Sequence, residues 1–166
     1  GYTVSIGKTH QKSSNKLSDS TDISLEVDSL FLMAFHKQNN LDYQGASEVF
    51  TKIISIISVF PKPSYLTSVY IFRGYTKCIL IDFLGALDDY NKYIELEPND
   101  KLGYKSRGTL FLFLNDYKSA IEDFSIAIEC NEEERFGGLF LERAKAKIGM
   151  GDVEGACLDW QRAREL

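Results

Sequence analysis

Apolar residues recur every three or four positions from about Ile23 to the end of the chain. This spacing is typical of amphipathic α-helices and predicts an all-α domain over residues 23–166. Residues 1–22 are polar and rich in Ser, Thr and Lys, and they show no sustained period. We therefore expect a flexible N-terminal arm over residues 1–22.

One pattern occurs four times within the helical part of the chain. An Asp and an apolar residue precede a small residue and an Ala, and an aromatic residue follows four positions after the Ala. The four alanines lie 40, 34 and 36 residues apart, in Asp42-Tyr43-Gly45-Ala46-Phe50, Asp82-Phe83-Gly85-Ala86-Tyr90, Asp116-Tyr117-Ser119-Ala120-Phe124 and Asp152-Val153-Gly155-Ala156-Trp160. A second register lies twelve positions before each of these alanines, as Met33-Ala34, Arg73-Gly74, Arg107-Gly108 and Arg143-Ala144.

Each part of the pattern has a physical role in a pair of antiparallel helices, A and B. The Asp carboxylate caps the start of helix B by accepting hydrogen bonds from free backbone N–H groups. The small residues let two helices approach closely, and the aromatic side chain fills the remaining space. The arginines recur at one position of helix A, which predicts packing against neighbouring helices or pairing with acids such as Asp89 and Asp123.

The period and the signature resemble the tetratricopeptide repeat, a helix–turn–helix unit of 34 residues. The resemblance implies a right-handed α-solenoid of about four repeats, at about 27–66, 67–100, 101–136 and 137–166. The first copy departs most, because it lacks the Arg-Gly pair and its helix B is expected to continue through IISIISVFPKP (53–63). The last copy also resembles the final repeat of many bacterial members, which together with abundant Ile, Lys, Phe and Asn favours a bacterial source.

In this family the A helices line a concave groove that commonly binds a peptide. Members that hold the C-terminal carboxylate of a chaperone use paired Lys/Asn and Lys/Arg residues, and most of these are missing here. We expect instead a hydrophobic peptide or an amphipathic helix, with aromatic anchors and orienting lysines. The alternative is that several of these side chains belong to the core. The resemblance places on the groove Phe31, Phe35, Gln38, Asn39, Ile71, Tyr75, Cys78, Ile79, Lys105, Thr109, Leu112, Phe113, Leu141, Lys145 and Ile148.

Nothing in the sequence predicts catalysis, a metal site or a cofactor. His10 and His36 are the only histidines, and neither has an acidic or Cys partner at ligand spacing. The acidic runs at 87–90 and 131–135 are expected on solvated faces or at helix junctions. The Gly residues at 149–151 lack the following Lys and the preceding strand of a phosphate-binding loop.

Composition narrows the class of partner and the compartment. With a net charge of −5, the chain lacks the clustered Lys and Arg of nucleic-acid binders. No apolar run approaches the roughly 20 residues that are needed to span a bilayer. Cys78, Cys130 and Cys157 form no CxxC pair, which mildly favours a reducing, cytoplasmic location.

We therefore predict a non-enzymatic interaction module that binds a peptide or protein segment in the groove and needs no cofactor. The alternative is a self-associating scaffold, a homodimer formed through a C-terminal face that no capping helix covers, or through the apolar groove. A third hypothesis is that the N-terminal arm folds back, so that the alternating Tyr2, Val4 and Ile6 occupy the groove.

Overall fold

The computed structural model describes residues 11–59, 67–130 and 137–166, with side chains from residue 23 onward. These ranges contain eight α-helices and no strand, which confirms the all-α prediction. The helices are α1 (Gln11–Asn39), α2 (Tyr43–Ile57), α3 (Ser68–Ile79), α4 (Phe83–Leu96), α5 (Lys101–Phe113), α6 (Tyr117–Glu129), α7 (Gly138–Met150) and α8 (Val153–Glu165).

Consecutive helices pack side by side along the whole chain, and the result is a right-handed α-solenoid. Each A helix packs on the B helix that follows it, as α1 on α2, α3 on α4, α5 on α6 and α7 on α8. Each B helix also packs on the next A helix, and neighbouring A helices touch in the pairs α3–α5 and α5–α7. The A helices of successive copies therefore lie next to one another and form one face of the molecule.

The predicted N-caps of the B helices are confirmed. In each copy an Asp carboxylate oxygen accepts a hydrogen bond of 2.9–3.2 Å from the backbone N–H three residues later. That later residue is Gly in three copies, because a Cβ there would collide with the capping carboxylate. Ser119 is the exception, and its N–H makes the longest of the four bonds. The caps are Asp42, Asp82, Asp116 and Asp152.

The residue before each cap lies in the left-handed region of backbone conformation. This residue is Leu41, Ile81, Asn115 or Gly151, with φ of 62°, 64°, 61° and 83°. A left-handed conformation costs most L-residues about 1–2 kcal/mol, because Cβ crowds the following carbonyl oxygen. Gly avoids this crowding and Asn tolerates it, whereas Leu and above all the β-branched Ile do not.

The small residues of the repeat lie in the helix interfaces, as the sequence predicted. All eight are buried: Ala34, Ala46, Gly74, Ala86, Gly108, Ala120, Ala144 and Ala156. The opposing aromatic ring fills the space above each glycine, since a Cβ on Gly74 would lie 2.6 Å from Cε1 of Tyr90. Phe50, Tyr90 and Phe124 are buried, whereas Trp160 of the last copy is partly exposed.

Two helix boundaries differ from the sequence predictions. α1 begins at Gln11, so residues 11–22 are helical where we expected an arm. No Gly or Pro interrupts residues 11–22, so the segment can form a helix. The absence of an apolar period indicates only that this part of the helix has no apolar face to pack against the others. α2 ends at Ile57 rather than continuing toward Pro61. Residues before a proline disfavour helical geometry, which is consistent with this earlier end.

Several sequence predictions fall outside the described residues. They concern the first ten residues, including His10 and the fold-back of Tyr2, Val4 and Ile6, the position of Pro61 at the end of copy one, and the acidic run at 131–135.

Candidate peptide-binding face

The fifteen residues that were assigned to the groove all lie on the A helices, but they differ in exposure. Ile71 is only 8% exposed and packs with Ala86 and Tyr90, so it is a core residue rather than a ligand contact. Phe31, Phe35, Gln38, Cys78 and Leu112 are half-buried. The exposed members are Asn39, Tyr75, Ile79, Lys105, Thr109, Phe113, Leu141, Lys145 and Ile148.

Four phenylalanines form one cluster where the first two copies meet. Phe31 and Phe35 of α1 contact Phe50 of α2 and Phe72 of α3, with ring centroids 5.0–6.3 Å apart. Phe35 meets Phe72 edge to face, at 5.0 Å and 86°. Such geometry is favourable for aromatic pairs and holds α1 against α3. Phe31 and Phe35 therefore belong partly to the core, as the alternative hypothesis expected.

An open cavity of about 410 Å³ lies over this cluster, between α1 and α3. Its floor is made of Phe31, Phe35 and Phe72, and Leu32 extends the apolar surface. Asp28 and Ser68 supply the polar groups of the lining. Asp28, Leu32 and Phe72 were absent from our sequence-based set. The first two occur at helical spacing from Phe31 and Phe35, so that signal could have found them.

The polar groove residues have distinct local roles. Gln38 donates from Nε2 to Oγ1 of the buried Thr76 at 2.8 Å and so ties α1 to α3. The Lys145 ammonium pairs with Glu142 at 2.7 Å, which compensates its charge. The Lys105 ammonium makes no ion pair with any residue in the described ranges, and it is exposed. Lys105 is therefore the better candidate for a contact with an acidic group of a ligand.

The recurring arginines pair with buried acids, as the sequence predicted for Asp89 and Asp123. In each case Nε and Nη2 of the Arg donate to the two oxygens of one Asp, at 2.5–2.9 Å. The remaining Nη1 donates to a side-chain oxygen on the preceding B helix, at 2.5–3.0 Å. Each Arg thus joins one A helix to two B helices. The pairs are Arg73–Asp89, Arg107–Asp123 and Arg143–Asp159, and the outer acceptors are Thr51, Asn91 and Ser125.

Comparison with known proteins supports the repeat pattern. No family model matches the chain. Tetratricopeptide repeat protein 36 homolog of Nematostella vectensis is 41% identical over 64 residues, which are 39% of this chain and 35% of that protein. Hsc70-interacting protein 1 of Drosophila melanogaster is 36% identical over 84 residues, which are 51% of this chain and 22% of that protein. The chain thus spans about a third or less of these two relatives.

The fold is also similar to that of solved structures of MamA. A crystal structure of MamA has a TM-score of 0.72 at 16% identity, covering 99% of this chain and 95% of that one. A MamA fragment from Desulfovibrio magneticus RS-1 has a TM-score of 0.71 at 17% identity, covering 84% and 75%. The repeats of the chain are therefore similar to tetratricopeptide repeats in sequence, and its fold is similar to that of MamA. A bacterial source stays a prediction.

The pKa values of three buried or half-buried groups are shifted by the packing of the helices. Burial raises the pKa of Asp159, but hydrogen bonds from Arg143 and Lys147 outweigh it, and the net pKa lies below the ordinary value. Burial raises the pKa of Cys78 and, together with the hydrogen bond between the two groups, that of Tyr90. The Cys78 thiol is therefore poorly suited to act as a nucleophile.

In the ranges that the structure describes, no three His, Cys, Asp or Glu side chains are grouped to hold a metal ion. His36 contacts Asn40 at 2.9 Å, one turn away on the chain. None of the described helices is long and apolar enough to cross a bilayer.

Proposed function

We propose that the chain is a non-enzymatic interaction module that holds a peptide or protein segment on the face formed by its A helices. The observation that carries this proposal is the open apolar cavity over Phe31, Phe35 and Phe72. A solvent-accessible apolar cavity of this kind is a common site for an anchoring side chain of a ligand. The tetratricopeptide-repeat relatives support the same class of function.

The rest of the face suggests the chemistry of the ligand. Tyr75, Phe113 and Leu141 are 57%, 68% and 43% exposed, one on each of the three later A helices. A hydrophobic peptide or an amphipathic helix that crosses the A helices would contact these side chains in turn. Lys105 would orient an acidic group of that ligand.

The proposal is tested with exposed residues, because Phe35 and Leu112 also pack in the core. We expect Leu32→Glu with Tyr75→Glu to abolish capture of a partner from a lysate of the source organism. Binding to the identified partner should then weaken at least about a hundredfold in titration calorimetry. Helicity should stay unchanged.

Ile126→Lys is the matched control for this experiment. Ile126 is an exposed aliphatic residue on α6, and the other copies have Lys52, Lys92 and Arg162 at its position. We expect this variant to bind the partner normally. Unchanged binding by the double variant would reject the proposal.

A second candidate function is self-association through the outer face of α8. Cys157, Trp160 and Gln161 are exposed there, at the positions by which earlier B helices face the next A helix. Gln161 corresponds to Thr51, Asn91 and Ser125, the acceptors for the next Arg. A homodimer through this face predicts a mass that doubles with concentration in sedimentation and returns to the monomer in Trp160→Glu. A monomer at all concentrations would reject it.

A further inference from the structure

At two of the four left-handed turn positions, the residue type has no explanation within the fold. Leu41 and Ile81 occupy the conformation that favours Gly or Asn, and the other two copies do carry Asn115 and Gly151 there. The strained side chains gain little packing in return, because they are 73% and 74% exposed. Strain of this type persists where the side chain serves a purpose beyond the stability of the isolated chain.

The two side chains belong to a larger apolar surface, which we call the turn edge. Successive A–B turns follow one another along one side of the solenoid. Phe113 at the end of α5 contacts Phe83 at the start of α4, with ring centroids 5.4 Å apart, so neighbouring turns share one surface. Large contiguous apolar surfaces on soluble proteins mark interaction sites. The exposed apolar residues of the turn edge are Leu41, Leu80, Ile81, Leu84, Phe113, Leu114, Met150 and Val153.

Among the exposed charged groups of the turn edge, acids predominate, because the four capping carboxylates and Glu154 lie beside a single exposed Lys118. Lys37, Lys77 and Lys147 also lie at the turns, but they are half-buried and paired with Asp42, Asp89 and Asp159. Each turn carries one capping carboxylate, whose Oδ1 accepts the cap hydrogen bond. Only one of the four also pairs with a cation in the described ranges, namely Asp42 with Lys37 at 2.7 Å. The other three carboxylates, those of Asp82, Asp116 and Asp152, are exposed beside the apolar side chains.

The charges distinguish between possible occupants of this surface. A second copy that faced the turn edge with its own turn edge would place carboxylates against carboxylates, and an anionic membrane would be repelled in the same way. A helix with an apolar stripe between rows of Lys or Arg would satisfy both components of the surface. Because packed helices lie about 10 Å apart, four turns span about 30 Å, the length of about 20 helical residues.

We propose that the turn edge docks a basic amphipathic α-helix of another protein, and that Leu41 and Ile81 occupy left-handed turn positions despite the strain because their side chains make this contact. The turn edge shares Phe113 with the proposed peptide-binding face but is otherwise separate from it, and the inference does not depend on the cavity between α1 and α3.

The test uses a synthetic 20-residue helical peptide of Leu and Lys, and a Leu–Glu peptide with the same apolar stripe. Leu41→Gly with Ile81→Gly removes both side chains, leaves the charge unchanged and relieves the backbone strain. We expect the double variant to melt about 3 °C or more above the parent, while its Kd for the Leu–Lys peptide rises at least about tenfold. The Leu–Glu peptide should bind neither protein.

Asn115→Gly is the matched control, since it changes the same turn position without removing an apolar side chain. It should leave the affinity for the Leu–Lys peptide within about twofold. Equal affinity of parent and double variant, or equal binding of the two peptides, would overturn the proposal. So would a parent that self-associates, or that sediments with phosphatidylcholine vesicles, when the double variant does not.

Discussion

The helices of copy one are held together by apolar contacts, whereas those of the three later copies are also held together by an Arg–Asp pair. We call these contacts the apolar joint and the polar joint. In the later copies an Arg on helix A binds a buried Asp on helix B and reaches the preceding B helix. Copy one has Met33 and Val49 at the Arg and Asp positions, and its joint is the phenylalanine cluster. In each later copy the Arg reaches an acceptor on the preceding B helix, so the polar joint links neighbouring copies.

The apolar joint should be the most sensitive to truncation. Phe50 is fully buried and touches Phe31, Phe35 and Phe72. We expect Phe50→Ala to lower the free energy of unfolding by about 4 kcal/mol, because it leaves a cavity among three rings. Urea denaturation followed by circular dichroism measures this loss. The exposed Phe113→Ala, as control, should cost less than about 1 kcal/mol.

The polar joint can be converted into the apolar one. Asp123→Val leaves the Arg107 guanidinium, whose side chain is 22% exposed, without its bidentate partner, and should cost about 3 kcal/mol. Adding Arg107→Met reproduces the residues of copy one and should restore stability to within about 1 kcal/mol of the parent. The same denaturation experiment compares the three proteins. A double variant no more stable than Asp123→Val would show that the two joints are not interchangeable.

Acid should weaken the Arg143–Asp159 joint and spare the apolar one. The Asp159 carboxyl has a lowered pKa in the folded chain, so its stabilising effect is complete above the unfolded pKa of about 3.9 and is lost as the pH falls further. The stability difference between the parent and Asp159→Asn should therefore stay constant above about pH 5 and shrink as the pH falls from about 5 toward 2. Thermal denaturation across this range measures the difference.

Asp88→Asn, which removes an exposed carboxylate from α4, is the control for the acid experiment. It should leave the pH dependence nearly that of the parent. A difference between parent and Asp159→Asn that stays constant with pH would contradict the role of the carboxylate.

The smallest expected effect concerns the outer acceptor between copies one and two. Thr51 Oγ1 accepts from Arg73 at 3.0 Å, and Thr51 is exposed. We expect Thr51→Val to cost about 0.5 kcal/mol, since water can replace this contact. Thr109→Val removes a hydroxyl that bonds only within α5, to the carbonyl of Lys105, and should cost less. Equal losses would mean that the bridge between copies contributes nothing.

The sequence predicted those features that recur at a fixed position. The caps and the small interface residues recur at the same place in all four copies, and the Arg–Asp pairs recur in three, so several copies supported each inference. Phe72 escaped notice because its partners lie in the preceding copy, about 40 residues away. The strained Leu41 and Ile81 escaped notice because neither residue type indicates a left-handed turn.

The helix start at Gln11 could not be predicted either. A polar segment without an apolar stripe gives no periodic signal, although its residues are compatible with a helix. The exposure of the groove residues was likewise beyond the sequence. Ile71 and Tyr75 are one helical turn apart on α3, yet one is in the core and the other is 57% exposed. Packing of the neighbouring copies decides between them.

The Arg-mediated joint has a consequence for how such a protein can grow. Each joint needs one acceptor on one side and one guanidinium on the other, and it accepts Thr, Asn or Ser as the acceptor. A tandem duplication of a whole copy would thus supply both the guanidinium and the acceptor that the new contact between copies needs. The gene can lengthen or shorten in units of roughly 34 residues. The encoded solenoid would then gain or lose one repeat without any change to the contacts between the others.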